Sequence, residues 1–303
     1  MDRLTGLIAA TFTPMHPDGS VDLAPVPAMV EGLLRNGITA LYVCGSTGEG
    51  PSLTTEERER VAEAFVAAAA GRLPVMVQVG HNSVEDARRL AAHAASIGAD
   101  AISAVSPSYF IPEGVAALVE TLGRVTDAAP DLPFYYYHIP RLSGVSLSPL
   151  AFLEAAPARM PSLAGVKFSC RDVEVMQACL AFDGGRFNIL FGVDEMLLSG
   201  LAAGCHGAVG STYNFLAPLY HEVMRRLAAG DLSGAQAHQL LAARMIAVIL
   251  RRHANAGIKA AMTLAGVPCG PARLPLSPLT DAEIAGMRDE LDALGFAEWS
   301  SRF

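Results

Sequence analysis

Short apolar runs alternate along this chain with stretches in which apolar positions recur every three or four residues. Gly6-Leu7-Ile8-Ala9-Ala10, Ala40-Leu41-Tyr42-Val43, Val75 to Val79, Ala101 to Val105, Phe134 to Tyr137, Leu163 to Lys167, Asn188 to Phe191 and Gly207 to Gly210 are β-rich and short, and they read as strands. The helical patterns between them run from about Leu23 to Asn36, from Thr54 to Gly71, from Ser83 onward, from about Glu113 to Ala128, from Ser148-Pro149, from about Asp172, from about Glu195 to Ala203, and from about Ala217. Their starts carry recognisable chemistry. Thr54 with Glu57 is a capping box, Ser83 stands three residues before Asp86, and Pro149 follows Ser148 at a first helical position.

Strands alternating with helices predict a parallel sheet, and eight such units in about 225 residues predict closure into a (β/α)8 TIM barrel. Beyond that point only helical patterns remain, with Thr280 and Glu283 forming a second capping box. The expected organisation is therefore a barrel over residues 1–225 and a C-terminal helical extension over 226–303, packed on the barrel.

Composition narrows the function classes. The 303 residues are 51% hydrophobic and 17% charged, the balance of a globular chain. No apolar run approaches the ~18 residues of a membrane span, and the N-terminus lacks the apolar core of a signal peptide. Five cysteines without a C-x-x-C pair argue against a disulfide framework or a zinc site, and a reducing cytoplasm is the expected location. A net charge of −8 with no basic cluster argues against nucleic acid as a partner. An anionic substrate would have to be held by local donors.

Of 22 basic residues only Lys167 and Lys259 are lysines. A guanidinium stays protonated, whereas an ammonium in an apolar strand can lose its proton and become a nucleophile toward a ketone. Lys167 closes such a strand; a strand-end lysine that is merely ion-paired or snorkelling would look the same in this stretch alone.

In a barrel of this kind chemistry falls on the loops after the strands. Gly45-Ser46-Thr47-Gly48-Glu49 follows strand two, and its glycines and hydroxyls suit a carboxylate, although a plain glycine-rich loop has the same look. Tyr137-His138-Ile139-Pro140 follows strand five. Period-2 alternation sends Tyr135 and Tyr137 to one side, where a phenol can exchange a proton beside an imine; His138 reads as packed or solvated. Gly192-Val193-Asp194-Glu195 follows strand seven, as hydroxyl acceptors or as helix N-terminal charge. Gly210-Ser211-Thr212-Tyr213-Asn214 follows strand eight.

Taken in order, Gly45 to Glu49, Tyr137-x-Ile139-Pro140, Gly165-Val166-Lys167, Gly192-x-Asp194-Glu195, Gly207 to Asn214 and Gly270-Pro271-x-Arg273-x-Pro275 closely resemble the N-acetylneuraminate lyase and dihydrodipicolinate synthase superfamily. The runs Tyr135 to Pro140, Phe191 to Glu195 and Gly210 to Asn214 look like those of its N-acetylneuraminate lyase branch. The resemblance implies that Lys167 forms an imine with a 2-keto acid and that Tyr137 shuttles the proton at the cleaving hydroxyl. Ser46, Thr47 and donors near Gly48 would hold the carboxylate. Gly192, Asp194, Glu195 and Ser211 would hold a polyhydroxy tail, with Ser169 near the substrate. Tyr109 matches a tyrosine that reaches into a neighbouring subunit's site, in a family commonly built as a homotetramer, a dimer of dimers. No metal or cofactor is implied.

Three departures stand out. Leu142 occupies a place where dihydrodipicolinate synthases carry a carboxylate-binding arginine, with Arg141 one residue earlier. Cys44 replaces a common glycine or asparagine, and Ser108 replaces a more usual aromatic beside Tyr109. The implied reaction is aldol cleavage of N-acetylneuraminate to pyruvate and N-acetylmannosamine. Pyruvate-dependent aldolases or dehydratases acting on shorter keto acids, and a non-catalytic barrel used for ligand binding or scaffolding, are the alternatives.

Overall fold

A computed structural model describes residues 3–303. Eight parallel strands close into a barrel in sequence order, β1 (Gly6–Ala10), β2 (Ala40–Val43), β3 (Val75–Gln78), β4 (Ala101–Val105), β5 (Phe134–His138), β6 (Leu163–Phe168), β7 (Asn188–Phe191) and β8 (Gly207–Gly210), with β1 pairing both β2 and β8. The (β/α)8 expectation holds. Period-2 alternation explains what each strand does with its side chains. Ile8, Ala10, Ala40, Tyr42, Tyr135 and Tyr137 fill the barrel interior, while their neighbours Leu7, Ala9, Leu41, Val43, Phe134 and Tyr136 pack outward against the helices. The strands read as continuous apolar runs because both faces are buried.

The barrel helices are α1 (Val26–Arg35), α2 (Thr55–Ala69), α3 (Val84–Ser96), α4 (Val115–Thr126), the short α5 (Pro140–Ser143) and α6 (Pro149–Ala155), α7 (Val173–Ala181), α8 (Leu197–Ala202) and α9 (Tyr213–Ala228). Thr54 makes both arms of its capping box, and Ser83, Ser148 and Asp172 each accept from the backbone N–H three residues on. Such caps contribute about 1 kcal/mol each. Several boundaries differ from the sequence pattern, most by one to three residues. β5 runs on to His138, and β6 ends at Phe168, one residue past Lys167. Helix α9 starts at Tyr213 rather than near Ala217, with a break at Leu216 (φ −121°) just before Pro218. Proline cannot donate to the carbonyl of Asn214, so the first turn is detached from the regular helix.

The C-terminal helices α10 (Leu232–Leu250), α11 (Asn255–Leu264), α12 (Asp281–Asp292) and α13 (Phe296–Trp299) follow. Helix α10 lies along α9, and Arg251 and Arg252 bind Glu290 of α12. Phe296 sets its ring 6.3 Å from that of Phe215 on α9. No helix among the described residues is long and apolar enough to cross a membrane.

Candidate active site

Lys167 points into the barrel from β6, opposite Tyr137 in the β5–β6 register. It is 4% exposed. Its Nζ lies 3.6 Å from the centroid of the Tyr42 ring and 4.0 Å from that of Tyr137, and these two rings meet edge to face at 5.7 Å. Burial pushes the Lys167 amine down to about 7, against the charge of Asp194, which favours the ammonium. Aromatic faces also favour a cation. The amine is therefore poised between its two forms near neutrality.

Tyr137 places its hydroxyl 3.5 Å from Ser46 Oγ. Burial raises its phenol, while hydrogen bonding to Ser46 and Ser169 works the other way. A phenol so placed is protonated at neutral pH.

Thr47 and Ser211, from the loops after β2 and β8, share a hydrogen bond of 2.7 Å. Asp194 is buried, and its Oδ2 accepts from the Thr212 amide at 2.8 Å and the Thr212 hydroxyl at 2.7 Å. Burial nonetheless raises its carboxyl to about 6. Glu195 pairs with Arg171 at 3.4 Å. Gly192 packs so tightly on Ser169 that a methyl group there would overlap Ser169 Oγ.

These groups line one cavity of about 500 Å³, which contains Ser46, Thr47, Tyr137, Lys167, Ser169, Gly192, Asp194, Glu195 and Ser211 in its wall. Of the eleven residues that the resemblance assigns to the site, two fall outside it. Gly48 sits behind the wall, its carbonyl accepting from Thr13 Oγ1 at 2.7 Å. Tyr109 is 80% exposed on the loop between β4 and α4 and touches no part of this chain's own cavity. His138 is packed, between the rings of Tyr136 and Phe168, and burial lowers its imidazole to about 4, so it is neutral.

Sequence reasoning missed two contributions. Tyr42 read as strand core, although the period that sends Ala40 inward also sends Tyr42 there. Ile246 and Leu250 of α10 and Asn255 and Ile258 of α11 also line the cavity. They lie some eighty residues or more beyond Lys167, and nothing local in their pattern signals a substrate pocket. Leu142 and Arg141 both stand in the cavity wall.

The arrangement can condense a keto group with the Lys167 amine, bind a carboxylate at the Ser46–Thr47 loop, and relay a proton through Tyr137. Among the described residues no cluster of three metal-binding side chains is gathered.

Residues 3–294 match the dihydrodipicolinate synthetase family. N-acetylneuraminate lyase A of Xenopus laevis is 46% identical over 279 residues, covering 90% of this chain and 91% of that protein. N-acetylneuraminate lyase of Gallus gallus is 38% identical over 297 residues, covering 96% of each. The solved N-acetylneuraminate lyase of Proteus mirabilis superposes with a TM-score of 0.95 at 39% identity, covering 97% of this chain and all of that one.

Proposed function

The chain belongs to the dihydrodipicolinate synthetase family, and on that footing we propose that it is a Schiff-base aldolase cleaving N-acetylneuraminate to pyruvate and N-acetylmannosamine. The observation that carries this reading is the buried Lys167 amine, brought down to about 7, beside a phenol whose hydroxyl lies 3.5 Å from Ser46.

In this reading the Ser46–Thr47 loop holds the substrate carboxylate, and the neutral Lys167 amine attacks the keto carbon. Loss of one water gives a protonated imine, which withdraws electrons from C3. Tyr137 receives the proton of the C4 hydroxyl as it passes its own on. The C3–C4 bond breaks, the aldehyde product leaves, and its bonding pair remains as the enamine of pyruvate. Protonation at C3 and addition of one water restore the free amine and release pyruvate. The water lost at the start is regained at the end, so the reaction is a net cleavage. Asp194, Glu195, Gly192 and Ser211 take the polyhydroxy tail, and Ser169 steadies the lysine side of the site.

Two finer statements belong to the same proposal. Tyr109 and Phe110 are 80% and 85% exposed, beside a half-exposed Ile111; we place them at a contact between subunits of a homotetramer, with Tyr109 completing a neighbour's site. We also place the enzyme in the cytoplasm, consistent with cysteines that are all unpaired.

Borohydride treatment in the presence of pyruvate tests the reaction. A pyruvate-derived mass should appear on Lys167, vanish in Lys167→Ala, and persist on Lys167 in Lys259→Ala if that variant folds. An unlabelled native protein would end the enzymatic reading. Release of N-acetylmannosamine from N-acetylneuraminate, measured beside shorter 2-keto-3-deoxy acids, tests the substrate. Because Arg141 also lines the cavity, condensation with aspartate semialdehyde belongs in the same panel; Leu142 predicts that it fails.

A further inference from the structure

The chain's second lysine is also buried, and no role in the reaction has been given to it. Lys259 lies on α11 at 1% exposure. Its Nζ donates to Glu49 Oε1 at 2.7 Å and to the Pro271 carbonyl at 2.8 Å. Glu49 is as deeply buried as its partner, and its other oxygen accepts from the Arg273 amide at 2.7 Å. Burial lowers the Lys259 amine, and the Glu49 carboxylate opposes that shift.

Glu49 ends the Gly45–Glu49 loop. It holds a left-handed conformation (φ 56°), and its amide bonds back to the Ser46 carbonyl at 3.1 Å. That same carbonyl accepts from Asn255 Nδ2 at 3.3 Å, one turn before Lys259 on α11. The turn leading into α11 contains two consecutive non-glycine residues at positive φ, His253 at 49° and Ala254 at 28°. Bonds from α11 and from Arg273 thus hold Ser46 and Glu49, the two ends of the turn that carries Thr47.

A buried charge pair is weak evidence for stability, since desolvation offsets much of the attraction; fixing one geometry is the use that remains. A compact ammonium serves here, because one nitrogen must meet both a carboxylate and a carbonyl.

We propose that Lys259 and Glu49 are positioning residues for the reaction proposed above, fixing the Ser46–Gly48 backbone in the conformation that receives the carboxylate of the 2-keto acid. Lys259 touches no substrate; it acts through Glu49. The inference rests on the aldolase reading and goes beyond it by giving the C-terminal helices a part in keto-acid binding.

The test is borohydride trapping as a function of pyruvate concentration. Lys259→Met alone would strand the Glu49 charge and can fail to fold, so the main variant is the double substitution Glu49→Leu, Lys259→Met, which removes both charges at similar volume. Its melting temperature should stay within a few degrees of native. The pyruvate concentration for half-maximal labelling should rise at least fivefold, with saturating label still on Lys167. A smaller rise, or a loss of maximal labelling at unchanged half-saturation, overturns the proposal. Hydrogen–deuterium exchange on the native protein keeps it testable if the variant does not fold. Pyruvate should slow exchange at residues 46–49 and 255–260 together; protection of the loop without α11 overturns it. Native protein that takes no label at all would remove the reaction itself, and this inference with it.

Discussion

The hydroxyls of Thr47 and Ser211 lie 2.7 Å apart at the barrel mouth, although 164 residues separate them in sequence. One belongs to the loop assigned to the carboxylate, the other to a loop assigned to the sugar tail. A single hydrogen bond joins the two ends of the proposed substrate site across β1. Each hydroxyl can donate and accept, so the pair can re-aim when ligand arrives.

Ser211→Ala should therefore affect keto-acid binding as well as tail binding. A hydrogen bond of this kind contributes about 1 kcal/mol, which is roughly a fivefold change in an equilibrium constant. Half-saturating pyruvate in the trapping assay should rise by about that factor, and KM for N-acetylneuraminate by more. If KM for the sugar acid rises while pyruvate half-saturation stays at its native value, the two loops act independently and this coupling is wrong.

The Lys167 amine governs how labelling depends on pH. Only the neutral amine attacks a ketone, and burial brings this group to about 7. Adduct formation should rise with pH through that value instead of through the ~10.4 of a free lysine. Asp194 opposes the shift, because its carboxylate favours the ammonium. Its own carboxyl is raised by burial to about 6, so that help is lost as pH falls through 6. Asp194→Asn removes the carboxylate charge at every pH. The Lys167 amine should then fall further, moving the midpoint of the labelling profile down by about one pH unit. Initial trapping rates of the two proteins between pH 5 and about 9 measure this; an unmoved or rising midpoint would contradict it.

Much of the barrel was legible because its signals are local. β1, β2, β4, β7 and β8 carry the bounds that their apolar runs suggest, and the capping box at Thr54 forms as its spacing implies. Lys167, Tyr137 and Ser46 could be placed near one another because a parallel barrel brings the ends of all its strands to one mouth. Tyr42 was harder. A tyrosine inside a buried strand looks like packing, and only the Lys167 side chain laid across its ring makes it part of the site. Asn255 and Lys259 were illegible for a different reason. Their contacts with Ser46 and Glu49 span 209 and 210 residues, and helical periodicity says which face is buried but not what it is buried against.

Two glycines, one in β6 and one in the cavity wall, separate fold from site. Gly165 lies in β6 against the β7 backbone, where a methyl group would run into the Asn188 carbonyl. Nothing flexible can yield there, so Gly165→Ala should move β6 against β7 and lower stability by roughly 1–3 kcal/mol, the range for overpacking a tight core. Gly192 is different. Its methyl group would meet mainly the Ser169 side chain, which can rotate away. Gly192→Ala should therefore leave the melting temperature close to native while displacing Ser169 from Tyr137 and narrowing the tail end of the cavity. The expected result is a KM for N-acetylneuraminate raised about tenfold or more, as for loss of one good contact plus a steric cost. Thermal unfolding and steady-state kinetics on the two variants decide the matter. A Gly192→Ala protein that melts early with native KM, or a Gly165→Ala protein as stable as native, would reverse the roles assigned to these positions.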